Sequence, residues 1–183
     1  LILLIFSYDS FTEQNEKEDE TMKRNDVPVH IYFDMDGTLA EWGVGKTMEQ
    51  VMAPGYFAEL QEQKNVCDCM NYLIERSDVK VFILSCVFPG KRYRDEKMEW
   101  LYKHTSISKE QVIFVPDGED KWEYIHAQRS AEEMPEKEVL IDDYSKNLSE
   151  WKGIPIKLYN GVNGTKGTWN GRSIHHKMSA KEM

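Results

Sequence analysis

The sequence predicts a three-layer α/β fold, a Rossmann-like parallel sheet with helices on both faces, and three observations carry that expectation. Short apolar runs rich in β-branched and aromatic residues recur along the chain, helical patterns separate them, and polar side chains collect where the runs end. Strands separated by helices pair in parallel through right-handed crossovers, which places helices on both sides of the sheet. At 183 residues, with 40% apolar and 11% aromatic content, the chain has material for one domain with a sizeable core and a small insertion.

The first six residues, Leu1 to Phe6, form an apolar run too short to span a bilayer, without the positive flank and small-residue cleavage site of an export signal. Residues 12 to 26 are polar and mostly charged, so 1–27 reads as a disordered tail, with Met22 a candidate initiator. The first strand then spans Val29 to Phe33. Residues 41–77 read as a small helical cap inserted after it, with a turn at Pro54-Gly55-Tyr56-Phe57 and a helical apolar face at Val66, Met70, Leu73 and Ile74. Residues 28–40 and 78–183 would make the core.

The second strand runs from Val79 to Leu84 and ends at Ser85-Cys86-Val87. Past the Pro89-Gly90 break, Lys91 to His104 reads as a charged helix turning Met98, Leu101 and Tyr102 to the core. A third strand covers Gln111 to Val115, a short helix Lys121 to Ala127, and a fourth strand Glu138 to Ile141. Another short helix spans Asn147 to Trp151. The fifth strand, Ile154 to Tyr159, carries Pro155, which suggests an edge position. The glycine-rich stretch from Tyr159 to Trp169 reads as a tight surface loop, and His175 and His176 as part of a terminus beyond the sheet.

Function concentrates at the first strand. His30-Ile31-Tyr32-Phe33 delivers Asp34 and Asp36 and then breaks at Gly37. Ligands in open α/β sheets bind beyond the carboxyl ends of the strands, so both aspartates stand at the rim of that crevice. Residues i and i+2 of an extended segment point the same way, which brings the two carboxylates to one spot unless the loop has already turned. Such a pair asks for a divalent metal, an acid/base role, or both, and all-oxygen ligands favour Mg²⁺. The bland alternative is an Asp-Gly turn whose aspartates serve only backbone donors.

Other strand ends carry Ser85, Lys121 a few residues after the third strand, and Asp142-Asp143. With these in place, Asp34-Met35-Asp36-Gly37-Thr38 resembles the signature loop of the haloacid dehalogenase (HAD) superfamily. Ser85, Lys121 and Asp142-Asp143 resemble its other three motifs in the expected order. The resemblance implies a phosphomonoesterase in which Asp34 attacks phosphorus and forms an aspartyl-phosphate, while Asp36 protonates the leaving oxygen and later deprotonates water. It implies Mg²⁺ held by Asp34, the Asp36 backbone carbonyl, Asp142 and Asp143, and phosphate held by Ser85, Lys121 and Gly37. Lys109 and Lys137 rival Lys121, but both precede a strand and so fall at the wrong end of the sheet.

The insertion resembles the corresponding region of 5′(3′)-deoxyribonucleotidases, which implies a small phosphorylated substrate, a nucleoside monophosphate first. Trp42, Tyr56 and Phe57 are then candidate base contacts, or else the core of the cap. Ser85-Cys86-Val87 departs from the threonine-serine-proline-like stretch of those nucleotidases. Phosphatase or phosphotransferase action on another small ester, and a non-catalytic phosphate-binding module, stay open. Gly43-Val44-Gly45-Lys46-Thr47 ends like a P-loop, but Ala40 stands where the motif needs glycine, and a hinge is the better reading.

A net charge of −9 offers no basic footprint for duplex nucleic acid, and no membrane partner is expected. Cys67, Cys69 and Cys86 are odd in number and lack zinc-knuckle spacing, so ordinary thiols in a reducing, cytoplasmic setting are expected.

Overall fold

Val29–Phe33 forms β1, which lies inside the sheet because its side chains are apolar toward both faces. Ile31 and Phe33 enter one core cluster and Tyr32 the other, the alternation of an extended chain. The computed structural model describes residues 29–130, 135, 137–163 and 169–183, so the tail expected over 1–27 lies outside the described residues.

The other strands are β2 (Val79–Val87), β3 (Val112–Pro116), β4 (Glu138–Asp142), β5 (Ile154–Tyr159) and β6 (Arg172–His175). They form a six-stranded sheet in the order β3-β2-β1-β4-β5-β6. Every neighbouring pair is parallel. The chain first builds outward from β1 to β2 and β3, then returns to β4 on the other side of β1. That reversal opens a crevice at the carboxyl ends of β1 and β4.

The helices are α1 (Met48–Val51), α2 (Lys64–Ile74), α3 (Lys91–His104), α4 (Lys121–His126) and α5 (Ser145–Glu150). Helices α2 and α3 bury Val66, Met70, Leu73, Trp100 and Leu101 in the cluster that holds Ile31, Phe33 and Ile83. Ile125 of α4 and Leu148 of α5 join Tyr32, Leu84 and Leu140 on the opposite face. Each such side chain contributes about 1.5–3 kcal/mol on leaving water, which is what holds the three layers together.

Several expectations change. Pro155 does not mark an edge: β5 lies between β4 and β6, and Pro155 is tolerated because β6 pairs only from Ile156 onward. Residues 172–175 form an unanticipated strand, with His175 paired to Tyr159. Ile174 is its one buried residue, so no alternating pattern announced it. Leu101 is buried and Met98 packs against the core as expected, but Tyr102 is exposed, and α3 buries Tyr93, Glu96, Lys97 and Trp100 as well.

Of the insertion expected over 41–77, α2 packs on the sheet, while 41–63 folds around the short α1 and is fastened to α3. Glu96 accepts hydrogen bonds from the Gly55 and Phe57 amides at 2.9 and 3.3 Å. Arg92 donates to the Met52 carbonyl at 2.7 Å and the Trp100 indole to the Leu60 carbonyl at 2.7 Å. Among the described residues, no helix is long and apolar enough to cross a membrane, and all three cysteines are free.

Candidate active site

The strand register explains why distant aspartates meet. Phe33 pairs with Ile141, and the Asp34 amide donates to the Ile141 carbonyl at 2.9 Å, so Asp34 and Asp142 leave adjacent strands side by side. Asp143 follows directly, and carboxylate oxygens of Asp34, Asp142 and Asp143, all buried, lie within 4.8 Å of one another. Neighbouring strands are about 4.8 Å apart, so parallel pairing brings Asp34 and Asp142 together, and the turn out of β4 after Asp142 adds Asp143.

Lys121 answers this cluster. Asp120 caps α4 by accepting from the Glu123 amide, and the helix it starts sends Lys121 inward. The ammonium donates to Asp34 Oδ1 at 2.6 Å and Asp142 Oδ2 at 2.7 Å. Burial lowers the affinity of Lys121 for its proton, but Asp142 and Asp34 outweigh this and hold the group charged. One ammonium does not neutralise three carboxylates. Burial pushes Asp34 up to about 7, with Lys121 opposing and Asp142 adding to the rise. Burial likewise raises Asp143 to about 8, reinforced by Asp142 and Asp34. Lys109 and Lys137 precede β3 and β4, at the far end of the sheet.

Asp36 goes elsewhere. The loop turns immediately after β1, with the Leu39 and Ala40 amides bonded to the Met35 carbonyl, so the i, i+2 pairing with Asp34 is lost. Its Oδ2 accepts from the ammonium of Lys97, while its Oδ1 is buried without a partner. Lys97, itself buried, also donates to Ser85 Oγ at 3.0 Å and the Cys86 carbonyl at 2.6 Å. Ser85 sits on β2 near Asp34 because Phe33 pairs with Ile83. Sequence reading missed Lys97, although the signal was present: it lies on the same helical stripe as Tyr93 and Trp100, where a charge needs a partner.

Gly37, expected to help hold phosphate, has both backbone groups engaged by the protein. Its amide donates to the Ala40 carbonyl at 2.8 Å, and its carbonyl accepts from Gln63 and Asn160 at 2.8 and 2.7 Å. What it supplies is space: at φ +84°, an added Cβ would lie 2.3 Å from Asp143 Oδ2. The stretch after β5, read as a tight surface loop in preference to a contact with the site, reaches the site through Asn160 and Asn163. Asn160 donates to Asp143 Oδ2 at 2.8 Å, and Asn163 donates to the same oxygen. Lys166, a candidate phosphate contact in the same stretch, lies outside the described residues. Lys157 of β5, also buried, donates to Ser145 Oγ at 2.8 Å and to the Asp143 carbonyl, fixing the segment that carries both aspartates.

Trp42, Tyr56 and Phe57 pack on one another, with ring centroids 6.4 Å apart for the first pair and 5.2 Å for the second. Phe57 is buried against Tyr93 and Phe88, and the Lys97 ammonium lies 4.9 Å from its ring centre. Gly43 to Thr47 is an exposed turn before α1, whose Thr47 caps that helix.

No family model matches the sequence, and no curated protein matches it. Among solved structures, the HAD domain of effector protein Lem4 from Legionella pneumophila, an inactive mutant, superposes with a TM-score of 0.50. That match has 15% identity and covers 77% of this chain and 89% of that one. A second structure of the Lem4 HAD domain gives a TM-score of 0.47 at 15% identity, over 85% and 90% of the two chains. The L. pneumophila effector Ceg4 gives 0.45 at 13% identity, over 92% and 93%. The first superposition shows that this chain has a HAD-like fold, and the looser two carry no part of the argument.

Proposed function

We propose that the chain is a Mg²⁺-dependent phosphomonoesterase acting through Asp34. The observation that carries this reading is the buried trio Asp34, Asp142 and Asp143 at the carboxyl ends of two adjacent strands, with Lys121 bridging the first two. An all-oxygen donor set with negative charge in excess fits a hard divalent cation. Asp34, Asp142 and Asp143 would hold it, with the Asp36 carbonyl as a further ligand. Bound there, Mg²⁺ supplies charge neutralisation for the phosphoryl oxygens.

The residues of the chain divide the remaining work. An Asp34 oxygen forms the bond to phosphorus as the ester P–O bond breaks, and Asp36 gives the departing oxygen its proton. Water then attacks phosphorus, its proton passes to Asp36, and the Asp34–phosphorus bond breaks. Lys97 grips Asp36 through Oδ2, which leaves Oδ1 as the atom for proton transfer. Lys121 and Ser85 hold non-bridging oxygens, where fixed positive and dipolar groups act without reorganising. Nucleoside monophosphates lead the substrate list, because the insertion resembles that of deoxyribonucleotidases.

The test is phosphate release with Mg²⁺ from nucleoside monophosphates, sugar phosphates and an aryl phosphate, run on wild type and Asp34→Asn together. Turnover by wild type and its loss in the variant is the expected result. Full activity of Asp34→Asn removes the nucleophile from the mechanism, and silence of the wild type on the whole panel removes the phosphatase reading.

A further inference from the structure

The aromatic residues of the insertion fill one another's surfaces, yet a ring-sized space exists nearby. An open cavity of about 400 Å³ lies at the carboxyl ends of β2 and β3, walled by Val87, Phe88 and Pro116, with Lys91 and Arg94 contributed by α3. Its volume falls in the range of small-molecule sites. We propose that this cavity receives the leaving group of the substrate, and that this group, in place of a neutral nucleoside, has an apolar, ring-sized body ending in a second anion.

Continuity with the candidate site supports the placement. Val87 lies two residues beyond Ser85 on β2, a distance of about 7 Å along an extended strand. Phe88 stacks obliquely on Phe57 with centroids 6.3 Å apart, and Phe57 lies over Lys97, which grips Asp36. On α3, Arg94 precedes Lys97 by three residues, so the two stand on neighbouring turns of one helix. Phe57 is itself buried and backs Phe88 from within the insertion, so the wall that faces an ester substituent on Asp34 is Val87 and Phe88, which directly follow the Ser85 segment of β2.

Charge decides the class of substituent. Arg94 is exposed and makes no ion pair or hydrogen bond among the described residues, and Lys91 meets only Asp95, at 3.7 Å on the open surface. The lining is polarised, with both cations on α3 and the carboxylate of Asp117 coming from the β3 side. On a chain of net charge −9, an Arg94 unpaired among the described residues and a Lys91 held only by one exposed ion pair, beside an apolar wall, match a ligand that is apolar in body and anionic at its end.

This inference rests on the phosphatase reading, and its test separates the two. The probes are 4-carboxyphenyl phosphate and its neutral isostere 4-carbamoylphenyl phosphate, bound with Mg²⁺ to Asp34→Asn, where turnover is stopped, and turned over by wild type. The carboxylate ester is expected to bind roughly five- to tenfold more tightly. That gap should collapse in Lys91→Ala/Arg94→Ala, with binding of the carbamoyl ester unchanged, and Arg94→Lys should keep part of it. Both positions are on the surface, so the variants fold. Equal binding of the two esters, or a gap that survives the double substitution, overturns the inference while phosphate release from both by wild type upholds the phosphatase. A gap that depends on Arg94 without any phosphate release upholds the site and removes the phosphatase. Binding of neither ester and release from neither overturns both.

Discussion

Replacing Gly37 with alanine is the most direct probe of the carboxylate cluster that substitutes none of its carboxylates. The added Cβ would lie 2.3, 2.7 and 2.8 Å from the three atoms of the Asp143 carboxylate group. To restore ordinary contact that group must shift by about 1 Å, which disturbs its hydrogen bonds from the Asn160 and Asn163 amides. The backbone at φ +84° adds a left-handed penalty of about 1–2 kcal/mol for a residue with a Cβ. With roughly 1 kcal/mol for a weakened hydrogen bond, the loss is about 2–3 kcal/mol, or about 4–12 °C in melting temperature for a domain of this size. Moving one of three ligands also costs roughly 10–100-fold in Mg²⁺ affinity. Gly45→Ala is the control, since φ is +72° there and nothing lies within 4 Å of the added Cβ. It should show the backbone penalty alone. Thermal unfolding and calorimetric Mg²⁺ titration of both variants give the readout, and wild-type Mg²⁺ affinity in Gly37→Ala would refute the cluster as the metal site.

Lys121→Met leaves Asp34 and Asp142 without their shared cation, so turnover should fall by at least about 100-fold, while Lys109→Met and Lys137→Met remain active; the reverse pattern in phosphate release would move the phosphate-holding role to Lys109 or Lys137. Glu96→Ala strands the Gly55 and Phe57 amides and should cost about 2–3 kcal/mol; faster proteolysis within residues 41–63 is the expected signature, and an unchanged cleavage pattern would refute the fastening of the insertion to α3. Burial raises Asp34 to about 7 and Asp143 to about 8, so the metal-free folded chain keeps protons that the unfolded chain releases above about pH 4. Stability without metal should therefore fall as pH rises from about 5 through 8, and the gain in melting temperature from Mg²⁺ should grow over the same window. A pH-independent gain would contradict the proton-for-metal exchange.

Much of the architecture was legible because it rests on local patterns. The apolar runs of β1 and β4 are long enough to read as buried strands, and the acidic pairs stand directly at their ends, so the order of strands and helices already pointed to one crevice. Lys121 was readable for the same reason, since topology alone separates a lysine after a strand from those before one. Residues 172–175 were not readable, because an edge strand with one buried side chain carries no periodic signal and exists only through pairing with β5.

By itself, the sequence determined the fold class, the carboxyl-end placement of Asp34, Asp142 and Asp143, and the residue types that bind a hard cation. Only the tertiary structure decided which charges pair. It sent Asp36 to Lys97 and not to Asp34, took the donor of Gly37 into the loop, and brought Asn160 and Asn163 onto Asp143. The physical reason is that an ion pair or hydrogen bond depends on distances of a few ångströms between residues far apart in the chain, whereas strands and helices follow from the period of their neighbours.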